Sequence, residues 1–161
     1  MLAKTTPCLW FDHEAEEAAK FYTGIFKNSK ITETARYPEA ASQIGRAEGD
    51  VMSVVFELDG QRFTALNGGS QFKFTEAISL QVDCADQKEV DYFWDRLSKG
   101  GETSQCGWLK DKFGLSWQVV PSITPQVMNY PDKAKSNAAF KAMIRMEKPD
   151  IAALQAAADD A

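Results

Sequence analysis

The 161-residue chain is poor in the groups that build common catalytic centres. It holds one histidine, His13, so no site drawing two imidazoles from one chain is open to it, which removes many zinc and iron constellations. Its three cysteines, Cys8, Cys84 and Cys106, are odd in number, widely spaced and without a CxxC pair. That pattern argues against a disulfide framework and for reduced thiols, as in a cytoplasm. No run approaches the roughly 18 apolar residues of a membrane span. The start, Met1-Leu2-Ala3-Lys4, lacks the basic-then-apolar layout of a signal peptide. Basic excess is missing too: 18 Lys and Arg face 23 Asp and Glu, for a net charge of −5. Nucleic acid and anionic lipid are therefore not expected partners.

What is present is ordinary globular material, 44% hydrophobic and 25% charged, in a length that suits one domain or two small modules. Thr6 to Phe11 reads as a short strand ended by Asp12, a potential N-cap. Ala15, Ala18, Ala19, Tyr22, Ile25 and Phe26 then recur at helical spacing over 13–26. A strand over Ile31–Tyr37, a polar loop over Pro38–Asp50, and strands over Val51–Leu58 and Gln61–Leu66 follow. Asp59-Gly60 marks the hairpin between the last two. The order then repeats: a strand over Ala77–Val82, a helix begun by Asp83 or Asp86 and stopped at Gly100-Gly101, and short strands near Glu102–Cys106, Trp108–Lys110 and Leu115–Val120. Phe11-Asp12 before Phe21-Tyr22 mirrors Val82-Asp83 before Tyr92-Phe93. The fold expected is α+β: paired βαβββ modules over about 1–70 and 74–125, forming one domain over 1–125. A C-terminal helical extension over 126–161 follows. It has a linker between Pro125 and Pro131, a helix opened by Asp132 or Ser136, and a last helix capped at Asp150.

Alternation assigns sheet faces. Met52, Val54, Phe56 and Leu58 oppose Ser53, Val55 and Glu57; Ser79 and Gln81 oppose Ile78, Leu80 and Val82; Ser116 and Gln118 oppose Leu115, Trp117 and Val119. The polar faces read as the lining of a cup that takes a small molecule. Candidate ligand-binding residues are Phe11, Asn67, Phe72, Phe74, Ser79, Trp108 and Gln118. Glu57 is the one carboxylate placed on this face, a candidate base if enclosed. His13 and Glu14, Glu16 and Glu17 read as an exposed first helical turn. Trp10, Trp94, Trp117, Cys8 and Cys84 read as core, and Met143 and Met146 as packing or dimer contacts. No cofactor and no metal are read from the residues. A strand–glycine turn–helix site for S-adenosylmethionine is not seen, since Gly68-Gly69 precedes no helical pattern.

The segments Thr6–Asp12, Glu16–Ala19 with Phe21-Tyr22, Phe63–Gly69, Phe72–Ser79 and Gln105–Gln118 resemble the PhnB-like branch of the vicinal oxygen chelate superfamily, the glyoxalase, bleomycin-resistance and dioxygenase group. The Met143–Asp150–Ala152 stretch also fits. The resemblance implies the paired-module curved sheet and a homodimer, and it carries the description 3-demethylubiquinone 3-methyltransferase-like. It places the superfamily's metal ligands near Pro7, Ala65, Ala77 and Gln118, of which only Gln118 has a donor side chain. The leading expectation is metal-free binding of a small molecule. A metal-dependent isomerase or dioxygenase, a methyltransferase, and an interaction protein stay open beside it.

Overall fold

A computed structural model describes residues 4–161. The chain forms two compact units, divided between Lys73 and Phe74. Each contains one four-stranded mixed sheet with a helix on one face.

In the first unit, β1 (Cys8–Phe11), α1 (Ala15–Ile25), β2 (Lys30–Arg36), β3 (Val51–Leu58) and β4 (Gln61–Asn67) give the sheet order β1-β4-β3-β2. β1 runs parallel to β4, as a strand–helix crossover requires, and the other pairs are antiparallel. The hairpin at Asp59-Gly60 has positive φ at both residues, 46° and 84°, which matches the strand twist. Val54 and Phe56 stand opposite Ala65 and Phe63 on the helix side, so the alternation of β3 assigns the faces as expected. Ala15, Ala18 and Ala19 are fully buried and let α1 lie close on the sheet. Tyr22 stacks on Phe56, and Phe56 on Phe63, at ring separations of 6.1 and 5.4 Å. Residues 39–44, expected as loop, wind into a 3-10 helix closed by Gly45 in the left-handed region.

The second unit repeats the pattern with β5 (Ser79–Cys84), α2 (Gln87–Leu97), β6 (Glu102–Thr103), β7 (Trp108–Lys110) and β8 (Ser116–Pro121), in the order β5-β8-β7-β6. Asp86 caps α2 by accepting from Glu89 N at 2.9 Å, while Glu89 accepts from Ala85 N at 2.8 Å. Val82, Cys84, Leu109, Trp117 and Val119 face the helix with Val90, Trp94 and Leu97. The same unit includes α3 (Thr124–Met128), α4 (Lys133–Met143) and α5 (Ile151–Asp159). The stretch expected as a linker is α3, with Pro125 at its first turn, where a missing N–H costs nothing. Asp132 and Asp150 cap α4 and α5 through Ala134 N and Ala153 N. Val127, Ala139 and Ala158 form their small core. Among the described residues no helix is long and apolar enough to cross a membrane.

Candidate functional site

Register decides which side chains reach the helix-free face of each sheet. In the second unit, β5 and β8 pair Ser79 with Ser116 and Gln81 with Gln118, and β7 sets Trp108 beside Gln118. Four polar residues and one indole thus share a face. Gln118 Nε2 donates to Ser79 Oγ at 2.8 Å, and Gln81 Nε2 donates to Asp83 Oδ1 at 2.8 Å. Both amides are therefore oriented, with their oxygens unclaimed. The indole N–H of Trp108 has no partner among the described residues. Lys110 closes the edge of this face with a 2.6 Å ion pair to Glu76, which holds the Glu76 carboxyl below and the Lys110 ammonium above their usual ranges.

A cavity of about 230 Å³ opens on this face. Gln81, Trp108, Gln118 and Val120 line it from the sheet, Cys106 and Gly107 from the turn before β7, and Thr124, Met143, Met146, Pro149 and Leu154 from the C-terminal segment. No lining residue carries a charge. The Oγ1 of Thr124 is buried without a partner among the described residues. A larger cleft of about 710 Å³ lies between α2 and residues 148–155. Its polar groups are already spent on one another: Lys148 pairs with Asp91 at 2.9 Å, and Gln87 bonds to Pro149 O and Ile151 N. The smaller cavity is the better candidate, being the more apolar and holding unclaimed polar groups.

Of the residues singled out from the sequence, Trp108 and Gln118 line this cavity, and Ser79 orients Gln118. Phe11 does not face an open sheet surface: it is 3% exposed on the helix side, and its neighbour Trp10 takes the open face. Trp10 donates from Nε1 to Gly69 O at 2.8 Å and meets the exposed Phe72 edge-on at 5.0 Å. Its ring lies where a side chain on residue 68 would go, so Gly68 is required there. Asn67 is a structural residue. It is buried, its Oδ1 accepts from Ala15 N at 2.8 Å, and its Nδ2 donates to Val51 O at 2.9 Å. Asp12 therefore does not cap α1; Asn67 does, from 52 residues away. Glu57 lies on the open face of the first sheet, partly exposed and 3.7 Å from Lys30, and is not enclosed. Phe74 is half-buried at the start of the second unit and does not line the cavity. His13 is exposed beside Asp12.

The metal positions implied by resemblance need correction. Ala65 points to the helix, and next to it on the open face of the first sheet Cys8 and Thr64 are paired in register. Ala77 precedes β5 in a turn. At these positions the donors are the Cys8 thiol, the Thr64 hydroxyl and the Gln118 amide, with neither imidazole nor carboxylate among them, and this set does not fit a divalent-metal centre. Among the described residues no three His, Cys, Asp or Glu side chains gather. After Gly68-Gly69 the chain passes through turns to β5 with no helix, so the glycine pair does not form a strand–helix nucleotide turn.

Comparison with known proteins completes the placement. The family described as 3-demethylubiquinone-9 3-methyltransferase matches residues 3–120. The solved PhnB protein of Bacillus cereus, given the same methyltransferase name, is 35% identical with a TM-score of 0.67, over 74% of this chain and 100% of that one. Two more distant structures share the fold: PA1353 of Pseudomonas aeruginosa (17% identity, TM-score 0.61, 74% and 98% of the two chains), and the fosfomycin resistance protein FosX of Listeria monocytogenes (13%, 0.55, 81% and 99%). No curated protein matches. The chain belongs to the 3-demethylubiquinone-9 3-methyltransferase family, in the PhnB-like branch of the vicinal oxygen chelate superfamily.

Proposed function

We propose that this protein binds a small neutral molecule, without a metal, on the polar face of the β5–β8 sheet. The observation that carries the reading is the register of Trp108 beside Gln118: an indole wall next to an oriented amide, in a cavity lined by no charge. A charged ligand would lose hydration there with no opposite charge in the lining to replace it, at a cost of several kcal/mol. Drug-sized ligands occupy cavities of roughly 300–1,000 Å³. The volume here, about 230 Å³, suits something smaller. The unclaimed Gln118 oxygen is an acceptor for one polar edge of the ligand.

The cavity supplies no carboxylate or imidazole for proton transfer, which favours binding over acid–base catalysis. Methyl transfer, which the family description names, would bring a charged sulfonium donor with an amino-acid tail. That donor is too large and too charged for this space. Calorimetry with S-adenosylmethionine tests the point, and saturable binding would restore that reading.

The direct test of small-molecule binding is 15N NMR of the tryptophan indoles during titration with indole, a small neutral planar probe. The Trp108 N–H signal shifts together with the Gln118 side-chain amide, while the core residues Trp94 and Trp117 stay in place. Absence of any saturable shift rejects the proposal.

A further inference from the structure

The segment from Met143 to Ile151 lies beyond the matched family region, which ends at residue 120. The Bacillus cereus relative is matched over its full length by 74% of this chain. Yet this segment is tied down at successive points. Residues 105–108 form a tight turn closed by Trp108 N donating to Gln105 O at 3.1 Å. Its central residues, Cys106 and Gly107, have φ of 61° and 80°. Cys106 N donates to Met146 O and Gly107 N to Glu147 O, both at 2.8 Å. Thr103 Oγ1 donates to Glu147 Oε2 at 3.1 Å. Lys148 then pairs with Asp91 at 2.9 Å. Gln87 finishes the attachment, donating to Pro149 O at 3.1 Å and accepting from Ile151 N at 2.9 Å. The packing at the turn is close: a Cβ on residue 107 would strike the Val119 carbonyl and lie 3.0 Å from Pro149 Cγ.

We infer that Met143–Ile151 is a strap that forms part of the binding site, and that its two thioethers beside the Trp108 indole select a planar aromatic ring. This rests on the small-molecule reading above. Met143, Met146 and Pro149 line the same cavity as Trp108, Gln81 and Gln118. Sulfur favours the edge of an aromatic ring, and an indole offers its face, so a flat unsaturated ring gains from both. The Gln81 and Gln118 amides supply the polar edge. The strap therefore adds a specificity element to the sheet face, as one wall of the cavity. Its attachment through backbone amides and Gln87 fixes the methionines without using the groups left for the ligand.

The test uses the full chain carrying 13C-methyl methionine, titrated with indole. The methyl signals of Met143 and Met146, assigned with M143L and M146L, shift by ring current at the same concentrations that move the Trp108 and Gln118 signals. Those of Met52 and Met128 do not. M143A and M146A each weaken indole binding about two- to tenfold. If an alanine variant fails to fold, the methyl shifts of the unaltered protein still decide. Trp108 and Gln118 responding while both methyls stay still and the alanine variants bind normally would overturn the strap and leave the site standing. No response at either set would reject both.

Discussion

The side-chain oxygen of Asn67, at the end of β4, accepts a hydrogen bond from the backbone N–H of Ala15, the first residue of α1, at 2.8 Å. The helix lacks a local cap, since Glu14 makes no capping bond. Asn67 fastens three elements at once: its Nδ2 holds Val51 O on β3, and its own carbonyl accepts from Tyr37 Oη at 2.6 Å. Asn67→Ala leaves a buried N–H and a carbonyl unpaired and lowers stability by about 2–4 kcal/mol. Asn67→Asp, which keeps the acceptor and loses the donor, falls between. Urea unfolding checks both, and an alanine variant within about 0.5 kcal/mol of the parent would contradict the assignment.

Asp111 plays a comparable part in the second unit. It is 2% exposed, and its carboxylate accepts from Phe113 N, Leu115 N and Trp117 Nε1 at 2.9, 3.1 and 2.9 Å. Asp111→Ala costs about 3 kcal/mol or more, because three donors lose a charged acceptor. In Asp111→Asn one side-chain atom becomes a donor facing a donor, and the contact to Trp117 is the one lost if the backbone bonds persist. Denaturation midpoints and the tryptophan emission spectrum report the two effects.

How much of this was readable beforehand follows from where each constraint lives. β3, β5 and β8 alternate cleanly, so their faces could be assigned from residue type alone. The Asp86, Asp132 and Asp150 caps are local and visible as an acidic residue before a helical pattern. β1 is different. Its four residues, Cys8-Leu9-Trp10-Phe11, have no polar member, so pattern cannot say which of Trp10 and Phe11 faces inward. The parallel register against β4 decides it. The cap from Asn67 is a tertiary contact and leaves no local trace. That Met143 and Met146 line the cavity is not visible in the sequence, because the strap is held by backbone amides of Cys106 and Gly107. A non-glycine residue at positive φ gives no sequence signal, and only the Cys-Gly pair hints at a turn.

Ser116 is 1% exposed on the open face of β8, and its hydroxyl has no partner among the described residues. An unpaired buried hydroxyl costs free energy, so Ser116→Ala is neutral or stabilises by about 1 kcal/mol. Thermal unfolding tests this, and a clear loss of stability would show that the hydroxyl is paired in solution.

Burial pushes the Cys84 thiol up to about 12 from an ordinary value of 9.0, with Glu89, Asp83 and Asp86 adding to the effect. The folded state prefers the neutral thiol. Its stabilising contribution is intact below pH 9 and is lost as pH rises from about 9 towards 12, where the unfolded chain ionises first. Replacing Cys84 with Ala flattens that part of the stability profile. At pH 8 the thiol resists iodoacetamide in folded protein and reacts on unfolding. Modification of Cys84 itself, located by peptide mapping, at the rate of the exposed Cys8 in the folded chain would count against the placement.

The cavity shared by Trp108, Gln118 and the strap is proposed to hold a small neutral ring. Crystals soaked with indole test it most directly. Electron density for the ring is expected between Trp108 and the methionines, its N–H directed at the Gln118 side-chain oxygen. An empty cavity in a crystal that carries indole elsewhere, or one filled by the protein's own side chains, would contradict it.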